Sequence, residues 1–283
     1  MKRILCALTA VMTFSFIACN SGSEKHTLSL RLAKGDTFNI ASNSKMDFTV
    51  EVMGTKQEFK MNSESESRFE VLDSTAAGAE MKMTILKQQS KLDVGKLIPD
   101  SLQSRSDSAS MAMIGKSIYF KIKDQKISDV RGFEEINRRE DSAVAVMMKK
   151  FMPEETFEQT TNLIFDVYPP KAVTVGESWK KETTVAFAGI PIKLNTMYKL
   201  KNVKDDLAEV AVDGKVSSNG AEMPMMPGLK INMDGKYNGT ITLQLNTGFL
   251  RNSNYEVEVR SDQEFTGEKV PITIKGKFST TGK

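Results

Sequence analysis

Met46-Asp47-Phe48-Thr49-Val50-Glu51-Val52 carries an apolar residue at every even position and a polar one between. A two-residue period puts one side of an extended chain on a core and the other in water. The same period runs outward in both directions. It is carried by Phe59 and Met61, by Phe69 and Val71, and by Met81, Met83 and Ile85. Further on come Ile190, Ile192 and Leu194, then Val210 and Val212, then Ile241, Leu243 and Leu245. Tyr255, Val257 and Val259 follow, then Ile272 and Ile274. Polar residues between apolar ones argue for antiparallel strands with one wet face rather than a buried parallel sheet. Short turns such as Met53-Gly54-Thr55, Ala188-Gly189 and Asn246-Thr247-Gly248 separate the runs and read as hairpins. The expected class is mainly β with a helical insert.

Two stretches read as copies. Lys34-Gly35-Asp36-Thr37-Phe38 and Val175-Gly176-Glu177-Ser178-Trp179 each give Gly, acid, hydroxyl, aromatic. Each then leads through alternating strands to a late hairpin, Ser117–Ser128 in the first copy and Thr240–Leu250 in the second. This predicts two related antiparallel β-meander modules, residues 28–130 and 171–283. They form either separate sheets or one curved, half-barrel-like sheet around a helical connector, 131–170. In the connector, Ala143, Val144, Met147, Met148, Phe151 and Met152 form a helical stripe. Pro153-Glu154-Glu155 reads as a first helical turn, with Phe157, Leu163 and Ile164 on its buried side, and Pro169-Pro170 ends the region. A weaker helical pattern covers Leu97 to Met113.

The 283 residues hold 39 Lys+Arg, 36 Asp+Glu and one His, a net charge of +3. That balance offers no cationic excess for nucleic acid. Residues 1–18 have the layout of a leader: Lys2 and Arg3, an apolar run from Ile4 to Ile17, then Ala18 before Cys19. The apolar run is too short for an ordinary membrane span. Phe16-Ile17-Ala18-Cys19 resembles the lipobox of bacterial lipoproteins. That resemblance implies acyl chains on Cys19 and cleavage before it, leaving residues 19–27 as a polar tether. Several acyl chains anchor a protein stably. Asn20 stands where an inner-membrane retention signal has Asp, so the expected address is the periplasmic face of the outer membrane. Cys6 leaves with the leader, and Cys19 then has no partner for a disulfide.

The overall layout resembles a family of uncharacterised Gram-negative bacterial lipoproteins, a domain of unknown function. The matching features are the ending at Cys19, Leu30-Arg31-Leu32 leading into Lys34-Gly35-Asp36, and Pro169-Pro170-Lys171-Ala172-Val173-Thr174-Val175-Gly176-Glu177-Ser178-Trp179. The resemblance implies a fold and a compartment and transfers no catalytic residue.

Chemistry is sparse. His26, the only His, lies in the tether, which leaves neither a zinc set nor a base for a catalytic triad. No Gly-x-Ser-x-Gly elbow occurs. Glu134, Glu135, Glu154 and Glu155 are the carboxylates a glycoside hydrolase would need, and a solvated helix face is their simpler reading. The chain is rich in Met, with 17. Met223-Pro224-Met225-Met226-Pro227-Gly228 reads as an apolar loop: a core cap first, a lid over a cavity second, and a thioether Cu(I) site last. Met147, Met148, Phe151, Met223, Met225 and Met226 are therefore the candidate ligand contacts. Four Asp-Ser pairs, at Ser74, Ser101, Ser108 and Ser142, are similar to an O-glycosylation sequon of exported proteins in one Gram-negative phylum; helix caps and turns are the alternative.

The expected protein is a membrane-tethered, non-enzymatic envelope lipoprotein that uses no cofactor or metal and binds an apolar or amphipathic ligand. The alternative is a structural or assembly lipoprotein that contacts other envelope proteins.

Overall fold

The computed structural model describes residues 24–52, 54–93, 113–132, 154–187, 190–222, 229–265 and 268–283. The first meander comprises β2 (Thr37–Val52), β3 (Thr55–Thr75), β4 (Gly78–Asp93), β5 (Ser117–Lys123) and β6 (Lys126–Arg131). The second comprises β8 (Ser178–Phe187), β9 (Ile190–Lys204), β10 (Leu207–Glu222), β11 (Leu229–Gln244), β12 (Leu250–Phe265) and β13 (Glu268–Gly282). Between them lie helix α1 (Glu154–Asn162) and a 3₁₀ turn (Leu163–Phe165). A two-residue strand β1 (Lys25–His26) pairs with β7 (Val173–Thr174), so the segment read as a polar tether ends in a strand.

Among the described residues, eleven strands form one sheet in the order β6-β5-β4-β3-β2-β13-β12-β11-β10-β9-β8. Each meander runs through neighbouring antiparallel hairpins. The seam between them joins β2 to β13, from Ile40 opposite Gly282 to Val50 opposite Ile272. Of the two layouts left open by the sequence, the single continuous sheet is the one adopted.

The sheet is not closed into a barrel, yet its edges come close together. Laid flat, eleven strands would hold the edge strands roughly 48 Å apart at about 4.8 Å per step. Helix α1, nine residues long and therefore about 14 Å from end to end, bonds to both edges. The Ile127 N–H of β6 donates to Asn162 Oδ1 at 2.6 Å, and the Ala186 N–H of β8 donates to Gln159 Oε1 at 2.7 Å. The sheet thus curls until one helix spans the gap. The same two bonds satisfy edge N–H groups that would otherwise invite another strand.

Alternation sets the faces. Along β10, Val210, Val212, Gly214, Val216 and Ser218 are buried, while Glu209, Asp213 and Lys215 are exposed. The outer face carries exposed charges such as Lys45, Asp47, Lys236, Glu256 and Lys277, with Lys277 Nζ 2.8 Å from Glu256 Oε1. This is the reverse of a transmembrane barrel, whose outer band is apolar. The inner face holds two main core clusters. One gathers Val71, Met81, Ile118, Phe120, Ile127 and Val130 from the first meander. The other gathers Trp179, Tyr198, Leu200, Val210, Ile241 and Leu243 from the second. Leu30 and Phe165 pack against both.

The copied turns match bond for bond. Gly35 and Gly176 both have φ +92°, a left-handed setting natural to glycine. The Gly35 N–H donates to Val71 O at 2.9 Å and the Gly176 N–H to Leu200 O at 2.7 Å. The return bonds run from the Val71 N–H to Asp36 O at 2.9 Å and from the Leu200 N–H to Glu177 O at 3.0 Å. In each turn the acid accepts from the backbone three residues back: Ala33 N–H to Asp36 Oδ2 at 2.8 Å, Thr174 N–H to Glu177 Oε2 at 3.1 Å. The Gly-acid-hydroxyl-aromatic pattern therefore encodes one structural unit used twice.

Candidate functional site

The inner face of the second meander does not fill. A cavity of about 480 Å³ lies beneath it, within the roughly 300–1,000 Å³ of small-molecule pockets. Its walls come from successive strands by the two-residue period: Leu194, Thr196 and Tyr198 of β9, Val212 and Val216 of β10, Tyr237, Ile241 and Leu243 of β11. Ser253, Tyr255 and Val257 of β12, Phe278 and Thr280 of β13, and Ile40 and Ser42 of β2 continue the wall across the seam. Leu163 to Tyr168 form the side nearest the helix.

One end is shut by backbone as well as side chains. The segment Leu28–Leu32 crosses the end of the sheet, with the Arg31 N–H donating to Thr247 O at 2.7 Å. Ser74 Oγ donates to Leu32 O at 2.7 Å on the other side. Gly248 lies so close to the Ser29 backbone that a Cβ there would overlap it. The buried Tyr168 hydroxyl donates to Gly248 O at 2.7 Å and fixes the 3₁₀ turn to this end.

Small inward residues create the volume. A Cβ at Gly214 would overlap the Tyr237 ring. The ring therefore lies down against the sheet over the glycine opposite it in register, rather than standing into the interior. A Cβ at Gly239 would likewise crowd the Tyr255 ring and Asn254 carbonyl. Trp179 stacks behind Tyr198, with ring centres 5.7 Å apart, and its Nε1–H donates to Val167 O at 3.1 Å.

The polar groups of the cavity converge. Thr196 Oγ1 and the Tyr237 hydroxyl are hydrogen-bonded. Asp166, at the end of the 3₁₀ turn, accepts at Oδ2 from Thr183 Oγ1 at 2.5 Å. Burial pushes the Tyr198 phenol far above its ordinary value, reinforced by Tyr255, Tyr237 and the Asp166 carboxylate. Desolvation raises Tyr168, Tyr237 and Tyr255 as well. All four phenols therefore keep their protons at neutral pH and are able to donate hydrogen bonds.

Few of the sequence candidates belong to the described residues. Cys19, Ser101, Ser108, Ser142, Met147, Met148, Phe151, Met223, Met225 and Met226 lie outside the described residues, as do Glu134 and Glu135. Ser74 is exposed near the end of β3. Glu155 is exposed and accepts from Gln159 Nε2 at 3.1 Å. Ile164, read as part of a buried helix face, is 46% exposed because it lines the open cavity. The tyrosines were the overlooked signal. The chain has five, and four of them, Tyr168, Tyr198, Tyr237 and Tyr255, line this cavity.

A model of a family of unknown function, DUF6263, matches residues 70–250. The chain belongs to that family. The DUF6263 span runs from β3 into the start of β12 and includes the second copied turn, Asp166 and three of the four cavity tyrosines. No curated protein matches the sequence. Among solved structures, a lipovitellin studied for lipid–protein interactions is similar at 10% identity and TM-score 0.49 over 89% of this chain. The chain spans a quarter of that lipovitellin chain's length, 25%. A Rh. blastica porin variant is similar at 6% identity and TM-score 0.23, covering 87% of this chain and 100% of the porin. The translocator domain of the autotransporter NalP from Neisseria meningitidis gives 5% identity and TM-score 0.21, with 89% of each chain covered.

Proposed function

We propose that this protein is a membrane-tethered lipoprotein of the cell envelope, anchored through Cys19, that binds an apolar or amphipathic ligand without catalysing a reaction. The observation that carries the reading is the cavity beneath the second meander. An apolar wall with a few converging polar groups is the usual form of a ligand site. The outward charge supports a water-exposed body, with attachment left to the leader-proximal Cys. Helix α1 hydrogen-bonds to both sheet edges, which favours ligand binding over recognition of partners by strand addition.

Every contact described above lies within residues 24–283, so the chain from Asn20 onward is the unit to test. Native mass spectrometry of that chain, purified without detergent from a Gram-negative host, is expected to show a discrete lipid-sized adduct that is lost on denaturation. A clean apo mass, together with no uptake of Nile red, would sink the reading.

A further inference from the structure

We infer that the cavity selects amphiphiles whose polar end is a hydroxyl or an amine and rejects those ending in a carboxylate. The inference rests on the ligand-binding reading above and names the chemistry of the ligand's head.

Charge in a largely apolar space sets the preference. Among the described residues lining the cavity, Asp166 is the sole charged one, and none is Lys, Arg or His. An anionic head would enter next to a like charge and find no cation to pair with, and both conditions disfavour it. A neutral or cationic head meets the opposite situation. Asp166 is fixed through Oδ2 by Thr183, and its Oδ1 accepts no hydrogen bond from any described residue. Tyr198, Tyr237 and Tyr255 stand within electrostatic reach of this site or of one another. Their hydroxyl oxygens accept, and their protons donate. A hydroxyl can use both kinds of bond. An ammonium can use the carboxylate and the phenolic oxygens. The apolar tail then lies along Val212, Val216, Leu194 and Val257.

The test is displacement of Nile red by three probes of equal chain length, dodecan-1-ol, dodecylamine and laurate, the alcohol kept below its solubility limit and the other two below their micelle concentrations. The alcohol and the amine are expected to displace the dye at concentrations at least tenfold lower than laurate. Asp166→Asn, which is isosteric and keeps an oxygen for Thr183, is expected to weaken the amine tenfold, leave the alcohol within threefold and strengthen laurate. Tyr237→Phe, which removes only a hydroxyl, is expected to weaken the alcohol and the amine alike. Laurate displacing as well as the alcohol would overturn the inference while leaving the ligand-binding reading intact. Dye uptake with no displacement by any probe would also overturn it, while failure to take up the dye would sink both.

Discussion

Strands β2–β6 and β8–β12 begin from turns with the same hydrogen bonds and the same glycine setting, yet one interior is filled and the other hollow. The difference lies in inward side-chain volume. In the first meander Phe120, Met81 and Ile127 are fully buried, Phe69 meets Phe120 edge-on with ring centres 6.5 Å apart, and Phe157 of α1 packs down on them. The residual space there is about 30 Å³. In the second meander the equivalent face offers Gly214, Ser253, Thr196 and three valines, and the Tyr237 and Tyr255 rings lie over glycines. The late strands differ too: β5 and β6 have 7 and 6 residues, whereas β11 and β12 have 16 each. A shared backbone unit thus serves as ballast in one half and as a container in the other.

Filling the hollow half should have the largest effect. Val216→Trp places an indole in the cavity. It is expected to abolish the native adduct and reduce Nile red uptake at least tenfold, with the circular dichroism spectrum unchanged; retained binding would place the ligand elsewhere. Emptying the filled half comes next. Phe120→Ala should cost about 3–5 kcal/mol in urea unfolding, the range for a large buried aromatic. Phe278→Ala, at the cavity wall, should cost clearly less because its ring already faces open volume. Equal losses would mean that the cavity is not a real void.

The junction between the halves gives a smaller effect. Asn162→Ala removes the acceptor of the Ile127 N–H and should cost about 1–3 kcal/mol. Hydrogen exchange is expected to accelerate at Ile127 and not at Ala186, while Gln159→Ala should show the converse. The smallest effect is expected at the second of the two copied turns. The Glu177 carboxyl is held below its ordinary 4.5, first by the Thr174 N–H and then by Lys171 and Lys25, with slight burial opposing them. A lowered folded-state value means that the stabilisation is fully present above 4.5 and is lost as pH falls through the folded-state value. Glu177→Gln should therefore flatten the acid side of the melting-temperature profile between about pH 5 and pH 2.

Much of the fold was legible because period-two alternation is a local signal and the copied turn is a short one. Val210-Ala211-Val212 and Lys34-Gly35-Asp36 declare themselves without reference to distant residues. The β2–β13 seam was not legible, since nothing in Met46 or Gly276 alone says that they face each other. The cavity was hidden for a related reason. Gly214 looks like a turn in Val212-Asp213-Gly214, and only the register with Tyr237 shows that it is a seat for a ring. Methionine drew attention through its abundance, whereas the tyrosines matter through their positions on neighbouring strands.

The seam also sets a timetable. Every hairpin within a meander can zip from its own turn, but Ser42 and Thr280, hydrogen-bonded across the seam, are 238 residues apart in sequence. Closing so distant a contact is slow relative to hairpin formation. Strand β2 must therefore wait with one edge unpaired until β13 has been synthesised, and during that interval its row of open N–H and C=O groups is the place where a chaperone, or a second nascent copy, would find this chain most receptive.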